Sequence, residues 1–507
     1  MPPARRLLLS PVGQRTGLIT LTVMLATIMQ ALDTTIANVA LPNMQGGLSA
    51  TQDQISWVLT SYIVGAAIFM PLTGFMAARF GRKRLFSASI IGFTLTSMLC
   101  GAAQNLDQMV LFRLLQGIFG AALVPLSQAV LLDSHPPQKH GSAMAMWGVG
   151  VMVGPILGPT LGGYLTEYYS WRWVFYINLP FGILAWLGLL LFLDETPTDR
   201  TRRFDLPGFA FLGLTIAALQ MALDRGELLG WLNSPEIMLE LSLTVLCGYL
   251  FVVHSCTAAQ PFISPGIFRD RNFSVGLIMI FAVGIILLAT MALLPPFLQH
   301  LSGYPVMTTG LLLAPRGIGT MLAMLIAGRL QGTDNRYKIA LGLVLISYSL
   351  WEMTFFTPDI SQWELVRTGI TQGLGLGFVF VPLSTLAFAT LAPAFRNEGT
   401  ALFSLMRNIG SSIGIAWMVT LLAHNTQANH AAFATYITDF SLPLQQVINT
   451  GAWSLESPAG LGALNATVTR EAQILAYLQD FQIMIWVTLA ALLLLPLMQA
   501  PRPQNTR

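Results

Sequence analysis

The chain has 507 residues, of which 54% are hydrophobic and 10% charged, and a formal net charge of +3. A soluble domain carries roughly 25% charged residues, so only lipid can hide this much apolar surface. The small positive charge falls into short loop clusters rather than a stripe, which argues against a nucleic-acid binder.

Arg5, Arg6 and Arg15 precede the first apolar run. That run is too long for a signal-peptide core and lacks a convincing cleavage site, so it is expected to stay as a membrane helix. A spanning helix needs about 20 apolar residues. Candidates in chain order are 17–42, 53–77, 84–103, 108–132, 141–166, 172–193 and 206–225. They continue with 236–254 (which contains Glu240), 273–299, 306–330, 338–356, 363–392, 399–424 and 481–499. The expectation is an all-α membrane protein with fourteen transmembrane helices. Cys100, Cys247 and Cys256 lie in apolar stretches and give neither a disulfide framework nor metal spacing.

Lys and Arg near helix ends set orientation. With a cytoplasmic N-terminus, one side holds the cluster Arg79, Arg82, Lys83 and Arg84, together with Lys139, Arg200, Arg202 and Arg203. The other side keeps only Arg172, Arg225 and Arg470. Both termini are therefore expected in the cytoplasm. Most outer loops are short. The exception, about 425–480, is polar and is read as a long loop, either functional or a tolerated insertion.

Asp33 lies inside the first apolar stretch, in Leu32-Asp33-Thr34-Thr35 leading to Asn38-Val39-Ala40-Leu41-Pro42. An unpaired carboxylate in lipid is costly, so such a residue faces a protein interior or a water path and is a candidate proton or cation carrier. Two segments also repeat. Gln116-Gly117 leads into Val124-Pro125-Leu126-Ser127, and Gln372-Gly373 into Val381-Pro382-Leu383-Ser384. With helices seven and eight set aside as an insertion, both copies fall on the fourth helix of a six-helix set. Two parallel six-helix halves with a substrate site between them are one plan of secondary transporters.

These residues resemble the major facilitator superfamily, and within it the fourteen-helix drug:proton antiporters. The resemblance extends to the EmrB-type exporters of Gram-negative bacteria and covers nearly the whole chain. It implies two six-helix bundles, 1–193 and 271–507, joined by a segment 194–270 with two extra helices. The first-helix signature implies proton coupling for Asp33. Arg113, with Gln116-Gly117, resembles the fourth-helix motif linked to proton transfer. At ~1.5 Å per residue, Asp33 and Arg113 fall at similar depth in the outer half.

Gly74 to Arg84, with Arg79, Gly81, Arg82 and Lys83, resembles the superfamily's gating-loop motif. The chain departs from it at Ala78, where the superfamily usually has Asp, so a closing latch must work without that acid. Gly150, Gly154-Pro155, Gly158-Pro159 and Gly162 resemble the fifth-helix motif of proton-coupled exporters. Glycines every four residues line one face and let a neighbouring helix approach, and the prolines allow bending. Trp171 to Pro180, which includes Asn178, is a further match.

Arg316 and Arg407 fall within second-half helices, where the only acids noted are Glu352 and Glu364. Either they attract anionic lipophilic substrates or they pair with backbone carbonyls or an acid elsewhere. Asn38, Gln116, Arg316 and Arg407 are candidate substrate-cavity residues.

The expected function is proton-coupled export of lipophilic drugs or toxic compounds across the cytoplasmic membrane. The resemblance adds a periplasmic adaptor and an outer-membrane channel as partners, for which the 425–480 loop is a docking surface or an inert lid. The rivals are an exporter of one metabolite or siderophore and a non-transport receptor. No Gly-Lys pair occurs, so there is no Walker A loop, and no zinc or nucleophile–base motif supports an enzyme or a cofactor.

Overall fold

The computed structural model describes residues 12–199, 204–330, 333–437, 445 and 457–499. Helices account for nearly all of them, and no strand occurs among the described residues. This is what lipid requires, because a helix satisfies its backbone polar groups internally.

The first bundle comprises α1 (Val12–Gly47), the bent pair α2 (Trp57–Phe69) and α3 (Leu72–Phe80), α4 (Arg82–Ala102), α5 (Leu106–Gly120) with α6 (Leu123–Ser134), α7 (His140–Tyr168) and α8 (Asn178–Phe192). The pair α2 and α3 bends by 55° where Pro71 interrupts the backbone ladder. Two more helices follow, α9 (Leu206–Leu229) and α10 (Pro235–Thr257). The second bundle comprises α11 (Arg271–Pro296), α12 (Val306–Arg329), α13 (Asn335–Met353), α14 (Gln362–Ala389), α15 (Arg396–Ala434) and α16 (Pro458–Leu494).

Short polar side chains start many of these helices by accepting a bond from a free N–H of the first turn, as Asn105, Asp205, Asp270, Asp334, Ser361 and Ser457 do. Asp205 does more. Its carboxylate accepts the N–H of Gly208 at 3.0 Å and of Phe262 at 2.8 Å, and pairs with His254 Nε2 at 2.8 Å. Burial pushes this carboxyl up, but the three bonds more than offset it and hold it below the usual carboxylate range. Together they tie both ends of the α9–α10 insertion to one residue. α9 lies against α2 and α15, and α10 packs mainly against α9.

Among the described residues, twelve helices are long and apolar enough to cross a membrane, or thirteen with the bent pair as one span. The predicted count of fourteen is therefore not reached. The segment predicted at 338–356 is helical over Asn335–Met353, but it is short and carries Arg336, Lys338 and Glu352. It packs between α14 and α16.

The predicted loop at 425–480 needs a larger correction. α15 continues to Ala434 and α16 begins at Pro458, so both flanks are helical. Hydropathy detects the apolar part of a helix and misses a polar, alanine-rich extension that is equally good helix. At 39 and 37 residues, α15 and α16 reach ~58 and ~56 Å, against a hydrocarbon core of about 30 Å. Their ends pair as a helical hairpin, with Asn429 Nδ2 donating to the Ala472 carbonyl at 3.3 Å and His430 Nε2 lying 3.0 Å from Asn465 Oδ1.

The sequence repeat is also a repeat of contacts. Gly65 packs its bare Cα on the Leu114 carbonyl, and Gly319 does the same on the Ile370 carbonyl. Gly117 sits on the Tyr62 carbonyl and Gly373 on the Arg316 carbonyl. Thus α2 against α5 in the first bundle matches α12 against α14 in the second.

Candidate functional site

Asp33, within α1, is 2% exposed, and each hydrogen bond it makes is accepted from a donor. Arg113 Nη1 on α5 donates to its Oδ2 at 2.7 Å. Gln116 Nε2, one turn further on the same face, donates to Oδ1 at 2.8 Å. Asn178 Nδ2, at the start of α8, also donates to Oδ1 at 2.8 Å. Arg113 donates in addition to Gln116 Oε1 at 2.7 Å and to the Val58 carbonyl at 3.1 Å, and its guanidinium lies 4.4 Å over the Tyr62 ring. Asn178 donates to Ser97 Oγ at 2.9 Å. Helices α2, α4, α5 and α8 therefore converge on one acid of α1.

Two charges in a dry interior cost several kcal/mol each in lost hydration, which only close pairing and further bonds offset. Here the pairing is specific for the carboxylate. All three partners of Asp33 donate, so a proton on either oxygen meets a donor where it needs an acceptor. Adding one proton removes the ion pair and forces the cluster to rearrange.

The glycine face of α7 seats α1 at this level. A side chain at Gly154 would run into the Ala31 carbonyl, and one at Gly158 into Thr35. Gly162 faces Ile36, and Gly150 faces Met24. Thr35 Oγ1 donates to the Gly154 carbonyl at 3.0 Å. Ala31 and Thr35 flank Asp33 by two residues on either side. Pro155 and Pro159 fall inside α7. The opposite face of α7 meets α12 of the second bundle, with Ile156 against Gly317 and Gly148 against Met324. Overpacking a helix contact typically costs ~1–3 kcal/mol. Gly154→Val, which strikes backbone, is expected at the upper end of that range and should lower the thermal unfolding midpoint of the purified protein. Gly163→Ala, whose added Cβ meets nothing within 4 Å, should not lower it.

The segment from Gly74 to Arg84, predicted as a loop, is helical on both sides of Gly81, and it holds the two bundles together at one end. Gly81 has φ +91°, a left-handed conformation that glycine tolerates. Glu195 accepts the N–H of Lys83 at 3.0 Å and of Arg84 at 3.1 Å at the start of α4, where the helix dipole favours an anion. Lys83 Nζ donates to the Leu190 carbonyl at 2.8 Å. Gly74 leaves no room for a side chain beside Glu398. Arg79 ends α3.

Arg82 is buried. It donates to Asp133 at the end of α6 at 2.6 Å and to Asn397 Oδ1 in the second bundle at 2.8 Å. Asp133 also pairs with Arg396 of the second bundle. Asp133 thus sits between two arginines from opposite halves.

The other candidates lie apart from Asp33. Arg316 is buried on α12, with Nη2 donating to the Leu287 carbonyl at 3.1 Å. Arg407 on α15 lies 6.0 Å from the Phe380 ring centroid. Neither makes an ion pair among the described residues. Asn38 is exposed, and Gln116 belongs to the Asp33 cluster rather than to a separate cavity.

Residues 23–415 match the family profile described as Major Facilitator Superfamily. The chain belongs to the major facilitator superfamily. Within it, the chain is 34% identical to the fatty acid resistance protein FarB of Neisseria gonorrhoeae over 97% of each chain. It is 35% identical to the multidrug export protein EmrB of Escherichia coli over 85% of this chain and 84% of that protein. It is 32% identical to the probable multidrug resistance protein EmrY of the same organism over 90% of each. The fold is shared with solved superfamily transporters. The human organic anion transporter MFSD10 (TETRAN) superposes with a TM-score of 0.60 at 14% identity, covering 96% of this chain and all of that one. A bacterial homolog of the human lysosomal transporter Spinster gives 0.54 at 17% identity over 96% of this chain and 99% of that one.

Sequence reasoning about this superfamily member left three functional neighbours without a role. Asn178 stands in a quoted motif but its bond to Asp33 spans 145 residues. Ser97 and Tyr62 are ordinary residues of apolar helices, and only packing puts them beside Arg113 and Asn178. A fourth residue, Asp480, was placed just outside the last helix. It lies well inside α16 and is fully buried.

Proposed function

We propose that the chain is a proton-coupled antiporter exporting lipophilic compounds across the cytoplasmic membrane by alternating access. The observation that carries this is the buried Asp33, whose three partners all donate, so that protonation and packing cannot change independently. Loading a proton on Asp33 releases Arg113 and loosens α1 from α5 and α8. The glycine seat on α7 passes that movement to α12 in the other bundle. Arg82, Asp133, Arg396 and Asn397 close the opposite route.

In this reading 1–193 and 271–507 are the moving units, 194–270 joins them, and α13 is the fourteenth crossing. The Arg82 end and both termini face the cytoplasm. The helical hairpin of α15 and α16 then stands in the periplasm as the docking surface for an adaptor and an outer-membrane channel. Substrates are expected to be chemically varied, in keeping with relatives named for multidrug export and for fatty acid resistance. No catalytic step and no cofactor enter the cycle.

The test is dye accumulation in inside-out vesicles. An imposed pH gradient should drive it and an uncoupler should collapse it. Accumulation that survives the uncoupler excludes proton coupling. For Arg316, the expected result of Arg316→Ala is selective loss of transport of acidic lipophilic compounds, read as competition against the dye by an acidic and a neutral amphiphile. Equal loss of both removes the anion role.

A further inference from the structure

The second bundle holds its own buried acid. Asp480 lies on α16 with no exposed surface, and neither carboxylate oxygen has a hydrogen-bond partner among the described residues. This contrasts with Asp33, which takes three donors. Its helix neighbours Tyr477, Phe481 and Met484 are buried with it, and none is charged. One turn further along α16, Met484 Sδ accepts from Thr290 Oγ1 of α11 at 3.8 Å. Gln372 Nε2 of α14 donates to the same hydroxyl at 3.5 Å, and Gln372 Oε1 is itself buried without a partner.

The position corresponds to a place already described. Gln372 occupies in the second bundle the place of Gln116 in the first, as the paired glycine contacts establish. Gln116 there meets Asp33 of the first helix and Asn178 of the sixth. In the second bundle the first helix supplies Thr290 and the sixth supplies Met484, with Asp480 one turn before it on the same helix. The carboxylate has moved from the first helix of the set to the last. The counter-charge has not followed it. The place of Arg113 is taken by Gly369, beside Arg316 Cβ at 3.7 Å, and the Arg316 guanidinium is directed to the Leu287 carbonyl instead.

The elements packed against α16 are chiefly α11, α13 and α15. Between Arg271 and its end α11 has no ionisable group. On α13, Arg336 pairs with Asp334, Lys338 donates to Asn335 Oδ1 and to the Leu330 carbonyl, and Glu352 pairs with Arg367. On α15, Arg407 lies over Phe380, and His424 and His430 lie towards the hairpin. On α16 itself, Arg470 Nη2 donates to the Leu301 carbonyl. None of these reaches Asp480. An unpaired carboxylate in such surroundings is strongly disfavoured.

An open cavity lies one helical turn from Asp480. A cavity of about 450 Å³ lies between α15, α16 and the π-helical turn Phe297–Leu301, lined by His300, Thr426, Gln427, Gln473 and Tyr477. Tyr477 precedes Asp480 by three residues on α16, so the two share a helix face.

We propose that Asp480 is a second proton-carrying site of the transporter, protonated in this conformation and exchanging with the aqueous phase through the cavity lined by Tyr477. It rests on the antiport reading given above, and adds one proton per cycle to the one handled at Asp33. No bond other than O–H is made or broken.

Infrared spectroscopy of the purified full chain tests the proton itself, independently of transport. The carbonyl stretch of a protonated carboxyl should be present near neutral pH, shift in heavy water, vanish in Asp480→Asn, and persist in Asp33→Asn. Protons moved per dye molecule (ethidium) in proteoliposomes test the coupling. Asp480→Asn, a near-isosteric and neutral change, should reduce the count by one, and Asp480→Glu should restore it. A carboxyl signal unchanged by Asp480→Asn overturns the proposal. So does a signal that does not exchange in heavy water, or a proton count equal to that of the unsubstituted protein. Failure of the antiport reading looks different, with ethidium movement insensitive to the gradient even in the unsubstituted protein while the infrared result still decides whether Asp480 holds an exchangeable proton.

Discussion

Asp33→Asn should abolish gradient-driven transport and also lower the thermal unfolding midpoint of the purified protein. Adding Arg113→Gln should restore the midpoint without restoring transport. The reason is the geometry of the pair, which is 2.7 Å apart and dry on both sides. Removing one partner of a buried ion pair typically costs ~3–5 kcal/mol, because the other is left charged and uncompensated. Gln116, the Val58 carbonyl and the Tyr62 ring remain to Arg113 and soften that loss. Neutralising both members removes the stranded charge, so stability returns. A carboxyl that titrates does not return, so coupling stays lost. If the double variant transports, or if Asp33→Asn leaves both quantities unchanged, the cluster is a packing device and not the coupling site.

The second large effect is expected at the latch. Asp133→Asn weakens the contacts to both Arg82 and Arg396 and should favour the conformation open at that end. The Asp133 side chain is about one-third exposed, so water and salt screen part of the attraction. A shift of about 1–2 kcal/mol is expected, roughly 5- to 30-fold in the population ratio. Spin labels at Gln138 and Arg271, placed on a cysteine-free background, would report it as growth of a longer-distance population. An unchanged distance distribution assigns the closed state to apolar contacts such as Trp147 stacked 5.8 Å from Phe380.

Charge inside apolar runs made part of this site legible. Asp33, Arg113, Arg316 and Arg407 each interrupt a membrane-length stretch, and lipid tolerates such residues only for a reason. The glycine period of α7 was legible as a packing face, but not that its partner is the Asp33 segment of α1. Long-range pairing was not legible. Arg82 was legible in its motif, yet its partner Asp133 lies 51 residues away, at the end of another helix. Asp480 was lost for a different reason. The polar residues of the α16 extension, Thr467 to Gln473, pull mean hydropathy down, so the apolar span was begun at 481 and its most informative residue fell outside. The same averaging turned a helical hairpin into a loop at 425–480. At 338–356 the segment is helical, and Arg336, Lys338 and Glu352 set it apart from the more apolar spans.

The most direct measurement compares two modes of dye movement in the same proteoliposomes. One is driven by an imposed pH gradient. The other is exchange of labelled for unlabelled dye at equal pH on both sides. The unsubstituted protein should perform both. Asp33→Asn should keep exchange and lose the gradient-driven mode, because the carrier still alternates with substrate bound but has no carboxyl to return loaded with a proton. Gradient-driven movement at the unsubstituted rate in Asp33→Asn would contradict the assignment of proton coupling to Asp33.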